Sequence, residues 1–104
     1  MSTIRQWSPA EVAERLDNGE KLFILDIRED GEWVSGHIPG ARHLPLGQLP
    51  YRHDVLDRNT EMVVVCLSGG RSSNACEYLA DLGYKVVNMP GGMSMWPGKV
   101  IMGR

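Results

Sequence analysis

The chain has 104 residues, of which 42% are hydrophobic and 23% charged, and its formal net charge at pH 7 is −2. This length and balance predict one globular domain, residues 1–104, with a core large enough to fold without disulfide or metal staples. The weak negative charge and the lack of a basic cluster exclude a nucleic-acid surface, and no apolar run reaches the ~20 residues of a membrane span.

The first predicted elements are a short strand and a helix. Residues 3–6 fit an extended strand. Ser8, Pro9 and Glu11 then form a helix start, with a serine N-cap, a proline in the first turn and a glutamate three residues after the cap. The apolar face that follows ends at Asn18-Gly19, where we expect the helix to stop.

A buried strand and a short helix follow. The continuous apolar run 22–25 is typical of a strand that is buried on both faces. It stops at Asp26, and a short helix is expected over residues 29–35. The glycines and the proline of residues 36–41 indicate a loop, after which residues 42–44 fit a short strand.

The second half of the chain continues this alternation after residues 46–59, which are expected only to form a partly helical cover with Leu46, Leu49, Val55 and Leu56. Two prolines prevent a long helix near residues 46–59. Residues 62–65 then form the second clear buried strand, and residues 72–82 form a helix that stops at a glycine. A third strand is predicted over residues 84–88, and a short helical segment over residues 93–96.

Strands that alternate with helices predict an α/β fold, with a parallel sheet and helices on both of its faces. In such sheets, functional sites form at the carboxyl ends of the strands. Two of the predicted strands lead directly into a residue with a charged or reactive side chain, Asp26 in one case and Cys66 in the other. The site is therefore expected at this end of the sheet.

Cys66 is the candidate nucleophile. The β-branched run 63–65 delivers it into a small loop that contains Gly69 and Gly70, and the loop opens the predicted helix. Unpaired N–H groups at a helix N-terminus favour an anion, and the two glycines let successive N–H groups converge on it. Such an environment lowers the pKa of a thiol, which predicts an exposed, reactive thiolate at Cys66.

Four segments of the chain resemble the rhodanese family of sulfurtransferases in its single-domain form. They are LDIRE at 25–29, GHIPGA at 36–41, CLSGGRS at 66–72 and GGMSMW at 91–96, and they occur in the family's order. The resemblance spans essentially the whole chain. It implies a rhodanese-like three-layer α/β fold, with a central parallel sheet of about five strands and helices on both faces.

The resemblance also implies a function. Cys66 takes a sulfane sulfur from a donor, becomes a persulfide, and passes the sulfur to a thiol or to cyanide. Donors of the family include thiosulfate, mercaptopyruvate, glutathione persulfide and the persulfides of partner proteins. The implied active-site loop consists of Leu67, Ser68, Gly69, Gly70, Arg71 and Ser72. We expect no nucleic-acid or membrane partner, and a monomer or a weak dimer.

Several roles around Cys66 stay open from the sequence. Arg71 either binds oxyanions of the donor or braces the loop through an acidic partner. Ser72 is either the helix N-cap or a direct contact to the sulfur. Asp26 and Arg28 are expected to support the loop through hydrogen bonds or an ion pair, because a carboxylate too close to Cys66 would raise its pKa.

The second cysteine, Cys76, falls on the apolar face of the predicted helix. It is either a small core residue or a resolving thiol that traps the persulfide as a disulfide. Residues 1–8 carry no apolar signal-peptide core, so we expect a cytoplasmic protein whose cysteines stay reduced. The sequence has no Cys-x2-Cys pair and no histidines at i, i+4 spacing, so no metal and no other cofactor is expected.

Leu67 departs from the pattern of many thiosulfate-using relatives, which carry a basic residue directly after the catalytic cysteine. A fixed cation would help to bind a dianionic donor. Leu67 therefore shifts the expected donor from thiosulfate toward a persulfide.

Two other functions compete with sulfur transfer. A cysteine phosphatase or arsenate reductase has five residues between its cysteine and its arginine, whereas four residues separate Cys66 from Arg71. The shorter loop makes a smaller anion nest, suited to one sulfur atom. A non-catalytic rhodanese-like binding or sulfur-carrier module is the second alternative, although binding modules typically lose the cysteine that this chain keeps.

Overall fold

The computed structural model describes residues 3–104, and its strands form one parallel sheet. The strands are β1 (Arg5–Gln6), β2 (Phe23–Asp26), β3 (Arg42–His43), β4 (Met62–Val65) and β5 (Val86–Asn88). Their order across the sheet, β1-β5-β4-β2-β3, puts β4 at the centre. The predicted α/β class and the parallel sheet of about five strands are confirmed.

Helices and 3₁₀ turns connect the strands. The helices are α1 (Pro9–Asp17), α2 (Asp30–Ser35), α3 (Leu49–Arg52) and α4 (Gly70–Asp81). The 3₁₀ turns are Leu46–Gln48, His53–Val55 and Gly92–Met95. The partly helical cover expected over residues 46–59 is confirmed and begins as three short helical turns in succession. Within residues 3–104, no helix is long and apolar enough to cross a membrane.

The sheet is covered on both faces, as predicted. Side chains of β4 alternate between the faces, because successive Cβ atoms of a strand point in opposite directions. Val64 belongs to a buried cluster that includes Leu79 of α4, and Val63 belongs to a second cluster that includes Val12 of α1. A strand that is buried on both sides needs apolar residues at every position, which explains its unbroken apolar sequence.

Local hydrogen bonds account for the element boundaries. The predicted helix start is confirmed, since the Ser8 Oγ accepts a hydrogen bond from the Glu11 N–H at 3.1 Å. The third buried strand begins at Val86, two residues later than predicted. Its expected first residue, Tyr84, instead donates its N–H to the Leu79 carbonyl in the last turns of α4, at 3.0 Å.

Candidate active site

The candidate site lies at the carboxyl edge of the sheet, where β4 ends. All residues of β4 are buried, and Cys66 directly follows its last residue, Val65. The parallel register sets Asp26 beside Val65 and Asn88 beside Val64. The ends of β2 and β5 therefore flank Cys66, which is where a parallel α/β sheet gathers functional groups.

Hydrogen-bond donors surround the Cys66 sulfur. The backbone N–H groups of Gly69 and Ser72 point at Sγ, with N–S distances of 3.0 and 3.3 Å, and the Ser72 Oγ lies 3.4 Å from it. Burial raises the pKa of the Cys66 thiol, but hydrogen bonds from the Ser72 hydroxyl and from the N–H groups of Ser72, Gly69 and Ser68 outweigh this effect. The pKa of Cys66 therefore lies below its usual value.

A second segment of the chain, residues 91–94, fixes the orientation of the loop, and we call it the brace segment. It donates backbone N–H groups to the carbonyl oxygens of residues 66–68, with distances of 2.8 Å from Met93, 2.9 Å from Ser94 and 3.1 Å from Gly91. A peptide group whose carbonyl is held outward turns its N–H inward. The brace segment thereby helps to aim the loop's N–H groups at the sulfur.

Two glycines allow the loop and the brace segment to approach each other closely. Gly69 has φ +101°, and a Cβ there would lie 2.8 Å from the Gly91 nitrogen. Gly92 has φ +55°, and a Cβ there would collide with the Cys66 and Leu67 carbonyls. Both positions therefore require glycine for conformation and for space.

Gly70 does not share this constraint. It lies outside the positive-φ glycines, and a Cβ at this position would meet no atom within 4 Å. The prediction that both glycines of the loop curl the backbone is wrong for Gly70, because the left-handed turn is made at Gly69 alone and Gly70 is already helical.

Arg71 braces the loop through an acidic partner, which was one of its two predicted roles. Its guanidinium donates two hydrogen bonds to the Glu32 carboxylate of α2, at 2.8 Å each. This pairing is the main reason that the pKa of Glu32 falls to about 2. The positive charge of Arg71 is thus already matched inside the protein.

Ser72 is not the helix N-cap, because α4 begins two residues earlier than predicted, at Gly70, and Gly69 occupies the cap position. The other predicted role, a direct contact to the sulfur, is the one that the structure contains. The Ser72 Oγ also lies within hydrogen-bond distance of the Asn88 Oδ1, at 2.6 Å, and of the Gly69 carbonyl, at 3.1 Å.

Asp26 and Arg28 form a buried ion pair, but they do not brace the loop. The Arg28 guanidinium bonds the Asp26 carboxylate at distances of 2.8 to 3.0 Å and the Gly36 carbonyl at 2.7 Å. Their side chains thus tie the end of β2 to the start of the glycine-rich segment 36–41. The expected support of the loop comes from Glu32 and the brace segment instead.

The expected exposed sulfur is not found, because Cys66 is 0% exposed. Its neighbour Leu67 is 46% exposed and forms part of the outer surface of the loop. A cleft of about 630 Å³ is lined by residues of α1 and by residues near Ile38 and Trp96, and Cys66 does not line it. The candidate nucleophile is therefore buried beneath its loop and lies outside this cleft.

A model of the rhodanese-like domain matches residues 8–99. The chain belongs to the rhodanese-like domain family. This rhodanese-like domain is 42% identical over 96 residues to the protein YtwF of Bacillus subtilis (strain 168), with 92% of this chain and 93% of YtwF covered.

Two further relatives carry names that state an activity. A sulfurtransferase of Allochromatium vinosum is 37% identical over 86 residues, covering 82% of this chain and 80% of the relative. The thiosulfate sulfurtransferase GlpE of Ectopseudomonas mendocina is 34% identical over 100 residues, covering 92% and 87%. The crystal structure of a rhodanese-like domain protein from Staphylococcus aureus matches with a TM-score of 0.89 and 29% identity, covering 97% of this chain and all of that one. The rhodanese-like fold is confirmed.

The second cysteine of this rhodanese-like domain is a core residue. Cys76 is fully buried in the same apolar cluster as Leu79, and burial, with a smaller contribution from nearby Cys66, raises the pKa of Cys76 to about 12. Both cysteines are free thiols. Among the described residues, no group of three or more His, Cys, Asp or Glu side chains is arranged to hold a metal ion.

Sequence reasoning missed two residues of the site, Glu32 and Asn88. Asn88 carried a usable signal, since it is a polar residue at the end of an apolar strand, the criterion that singled out Asp26. Glu32 carried none, because its spacing from Glu29 indicates only a capping box, which the structure contains. Its pairing with Arg71 depends on how α2 packs beside α4.

Proposed function

We propose that this protein is a sulfurtransferase that carries a sulfane sulfur on Cys66 as a persulfide. The observation that supports the proposal most strongly is the set of polar groups around Sγ. The N–H groups of Gly69 and Ser72 donate to it, and the Ser72 Oγ lies 3.4 Å from it. These donors stabilise the thiolate that attacks the donor molecule, and the names of the relatives agree with this chemistry.

The proposed reaction has two steps that balance in atoms and charge. In the first, the Cys66 thiolate attacks the outer sulfur of a persulfide R–S–SH, the S–S bond of the donor breaks, and R–S⁻ leaves. The Cys66 persulfide, Cys–S–SH, then loses its proton to water. In the second step, cyanide or a thiolate attacks the outer sulfur of this persulfide anion, the S–S bond breaks, and the Cys66 thiolate is released. Each step is an exchange at sulfur, so no external oxidant or reductant is needed.

The charges around the loop favour a persulfide donor over thiosulfate. Thiosulfate carries two negative charges, and a free cation beside the sulfur would help to bind it. Leu67 offers no charge, and both forked hydrogen bonds of Arg71 go to Glu32. The exposed side chains beside the loop include Leu67 and Met95, which suit the organic part of glutathione persulfide or the surface of a persulfide-bearing protein.

The burial of Cys66 limits how a sulfur donor can reach its Sγ atom. Because the residue has no exposed surface, a donor reaches Sγ only after a small displacement of the loop. The rest of the loop is anchored by the brace segment and by Glu32, so we assign this displacement to the side chains at its outer surface, Leu67 foremost.

Thiocyanate formation from cyanide tests the proposal with each donor in turn. We expect the wild type to transfer sulfur from glutathione persulfide faster than from thiosulfate, Cys66→Ser to transfer from neither, and Cys76→Ala to retain the wild-type rates. Failure of the wild type with every donor, or full activity of Cys66→Ser, would contradict the proposal. Faster turnover with thiosulfate would retain sulfur transfer but overturn the donor preference.

A further inference from the structure

The Ser72 hydroxyl has more acceptors than it has protons. Its oxygen lies within hydrogen-bond distance of the Asn88 Oδ1 (2.6 Å), the Gly69 carbonyl (3.1 Å) and the Cys66 Sγ (3.4 Å). A hydroxyl carries one proton and can donate to one of these partners at a time. The shortest of the three distances is the one to the Asn88 Oδ1. When the sulfur needs the hydroxyl proton, the hydrogen bond between Ser72 and Asn88 must therefore change.

Two hydrogen-bond patterns are consistent with this geometry. When Cys66 is a thiol, its S–H donates to the Ser72 Oγ, and the Ser72 hydroxyl donates to the Asn88 Oδ1. When Cys66 is a thiolate, the hydroxyl must turn to the sulfur, and the Asn88 oxygen loses its donor. A buried acceptor without a donor is unfavourable, so this second pattern needs a rearrangement at Asn88.

The side chain of asparagine can supply that rearrangement. Its amide carries an oxygen acceptor at one end and a nitrogen donor at the other. Turning the Asn88 amide presents Nδ2 to the Ser72 oxygen, which then accepts from Asn88 while it donates to the sulfur. Asn88 is only 3% exposed, and its other end reaches the Gln6 Oε1 at 3.5 Å, where a glutamine amide can adapt in the same way.

We infer that Asn88 is a positioning residue for Cys66, which exchanges the two ends of its amide so that the Ser72 hydroxyl donates to the sulfur when the thiolate forms. Asn88 does not touch the sulfur and acts only through Ser72. The inference deepens the proposed function, since it concerns how the attacking thiolate is held.

Other charged and titratable groups near the sulfur do not provide this adjustment. Arg71 is held by Glu32 in a fixed two-point contact, and Cys76 stays a thiol in the core. The backbone N–H groups of Gly69 and Ser72 donate to the sulfur in both protonation states. Among the contacts described at this site, the Ser72–Asn88 hydrogen bond is therefore the one that must change when the proton leaves.

The test is the pH dependence of Cys66 alkylation by iodoacetamide. It is measured in a Cys76→Ala background, so that Cys66 is the one cysteine that can be alkylated. Asn88→Ala removes the Nδ2–H group that would direct the Ser72 hydroxyl to the sulfur, and leaves that hydroxyl free to donate to the Gly69 carbonyl. It should therefore slow alkylation at acidic to neutral pH by about threefold to tenfold, the range that one hydrogen bond supplies, and should leave the rate at high pH unchanged. Asn74→Ala, which removes an exposed asparagine from α4, is the matched control and should behave as wild type.

A double-mutant cycle with Ser72→Ala separates positioning from general packing. If Asn88 acts through Ser72, then Asn88→Ala slows alkylation in the wild type but has no further effect once Ser72 is alanine. Equal effects of Asn88→Ala in both backgrounds, or no effect in either, would overturn the inference. Asn88→Leu, which keeps the volume but removes both polar ends, provides the same comparison if the alanine variant does not fold.

This test can fail independently of the proposed function. Alkylation needs only the Cys66 thiolate, whereas thiocyanate formation needs a sulfur donor and an acceptor. Sulfur transfer with an unchanged alkylation profile in Asn88→Ala would retain the proposed function and overturn the role of Asn88.

Discussion

At the scale of single residues, two opposing effects act on Cys66, and the hydrogen bonds are stronger. Burial disfavours a charged sulfur by several kcal/mol. Hydrogen bonds to a charged group contribute about 1.5–3 kcal/mol each. The N–H groups of Gly69 and Ser72 supply two of them, and the Ser72 hydroxyl, 3.4 Å from the sulfur, can add a third when the sulfur is ionised. The sum offsets the burial cost, which agrees with the lowered pKa of Cys66.

A substitution at Leu67 tests whether the lack of a positive charge beside Cys66 limits the use of thiosulfate. Leu67→Lys places a cation directly after Cys66 on an exposed side chain, and we expect thiosulfate turnover to rise roughly two- to fivefold, the gain of one exposed charge pair. Turnover with glutathione persulfide should change less. Leu67→Met is the neutral control, and an equal rise in both variants would show that charge is not the reason.

Gly69 and Gly70 form a matched pair, since the same substitution has opposite consequences one residue apart. Gly69→Ala forces an alanine to positive φ and against the Gly91 nitrogen, so it should lower the free energy of unfolding by at least about 1–2 kcal/mol. Gly70→Ala should leave it unchanged or raise it by up to about 1 kcal/mol. Urea denaturation measures both, and equal losses would contradict the difference in backbone conformation.

The ionisation of Glu32 makes the free energy of unfolding depend on pH in the acidic range. Arg71 lowers the pKa of Glu32 from 4.5 to about 2 in the folded protein, so the folded state favours the ionised carboxylate. This contribution is complete above pH 4.5 and is lost as the pH falls toward 2. Glu32→Gln keeps the shape of the side chain but does not titrate.

The stability difference between the wild type and Glu32→Gln should therefore shrink between pH 4.5 and pH 2. Urea denaturation across this pH range measures it. Glu14→Gln, on an exposed position of α1, is the control and should show no such trend. A difference that stays constant with pH would mean that Arg71 does not depend on the Glu32 charge.

At the scale of elements, the brace segment orients the loop after β4 so that the N–H groups of the loop can stabilise an anion. It occupies the carbonyl oxygens of residues 66–68, and it approaches so closely that only glycine fits at position 92. Short 3₁₀ turns such as this one have little intrinsic stability of their own. The brace segment therefore depends on its contacts with the loop, and the loop depends on it.

Gly92→Ala should break this contact. A Cβ at Gly92 meets two backbone carbonyls, which cannot move aside as a flexible side chain can. We expect a loss of roughly 3 kcal/mol or more in the free energy of unfolding, at the upper end for single substitutions, together with slower alkylation of Cys66. Gly47→Ala, in open space, is the control, and a Gly92→Ala variant as stable as this control would refute the tight approach.

The sequence predicted the elements that depend on local pattern. The buried strands predicted at 22–25 and 62–65 follow from unbroken apolar runs, and the first helix follows from its cap at Ser8. Both signals depend only on residues that are close together in the sequence. The turns of residues 46–55 were predicted only as a partly helical cover without bounds, since their short helices are set by packing against the sheet and not by periodicity.

At the scale of the whole molecule, the order of the strands assembles the site. Placing β4 between β2 and β5 brings Asn88 beside Cys66, although 21 residues separate them in sequence, and packing of α2 near α4 brings Glu32 to Arg71 across 38 intervening residues. The nucleophile and its loop could be predicted from one contiguous segment. The partners that tune it could not, because only the tertiary arrangement brings them together.

The central claim is that Cys66 carries the transferred sulfur. Intact-mass measurement after incubation with glutathione persulfide tests it most directly. We expect the wild type and Cys76→Ala to gain the mass of one sulfur atom, to lose it on addition of cyanide, and Cys66→Ser to gain nothing. A wild type that gains no sulfur from glutathione persulfide, thiosulfate or any other donor, or a Cys66→Ser variant that gains it equally, would contradict the account.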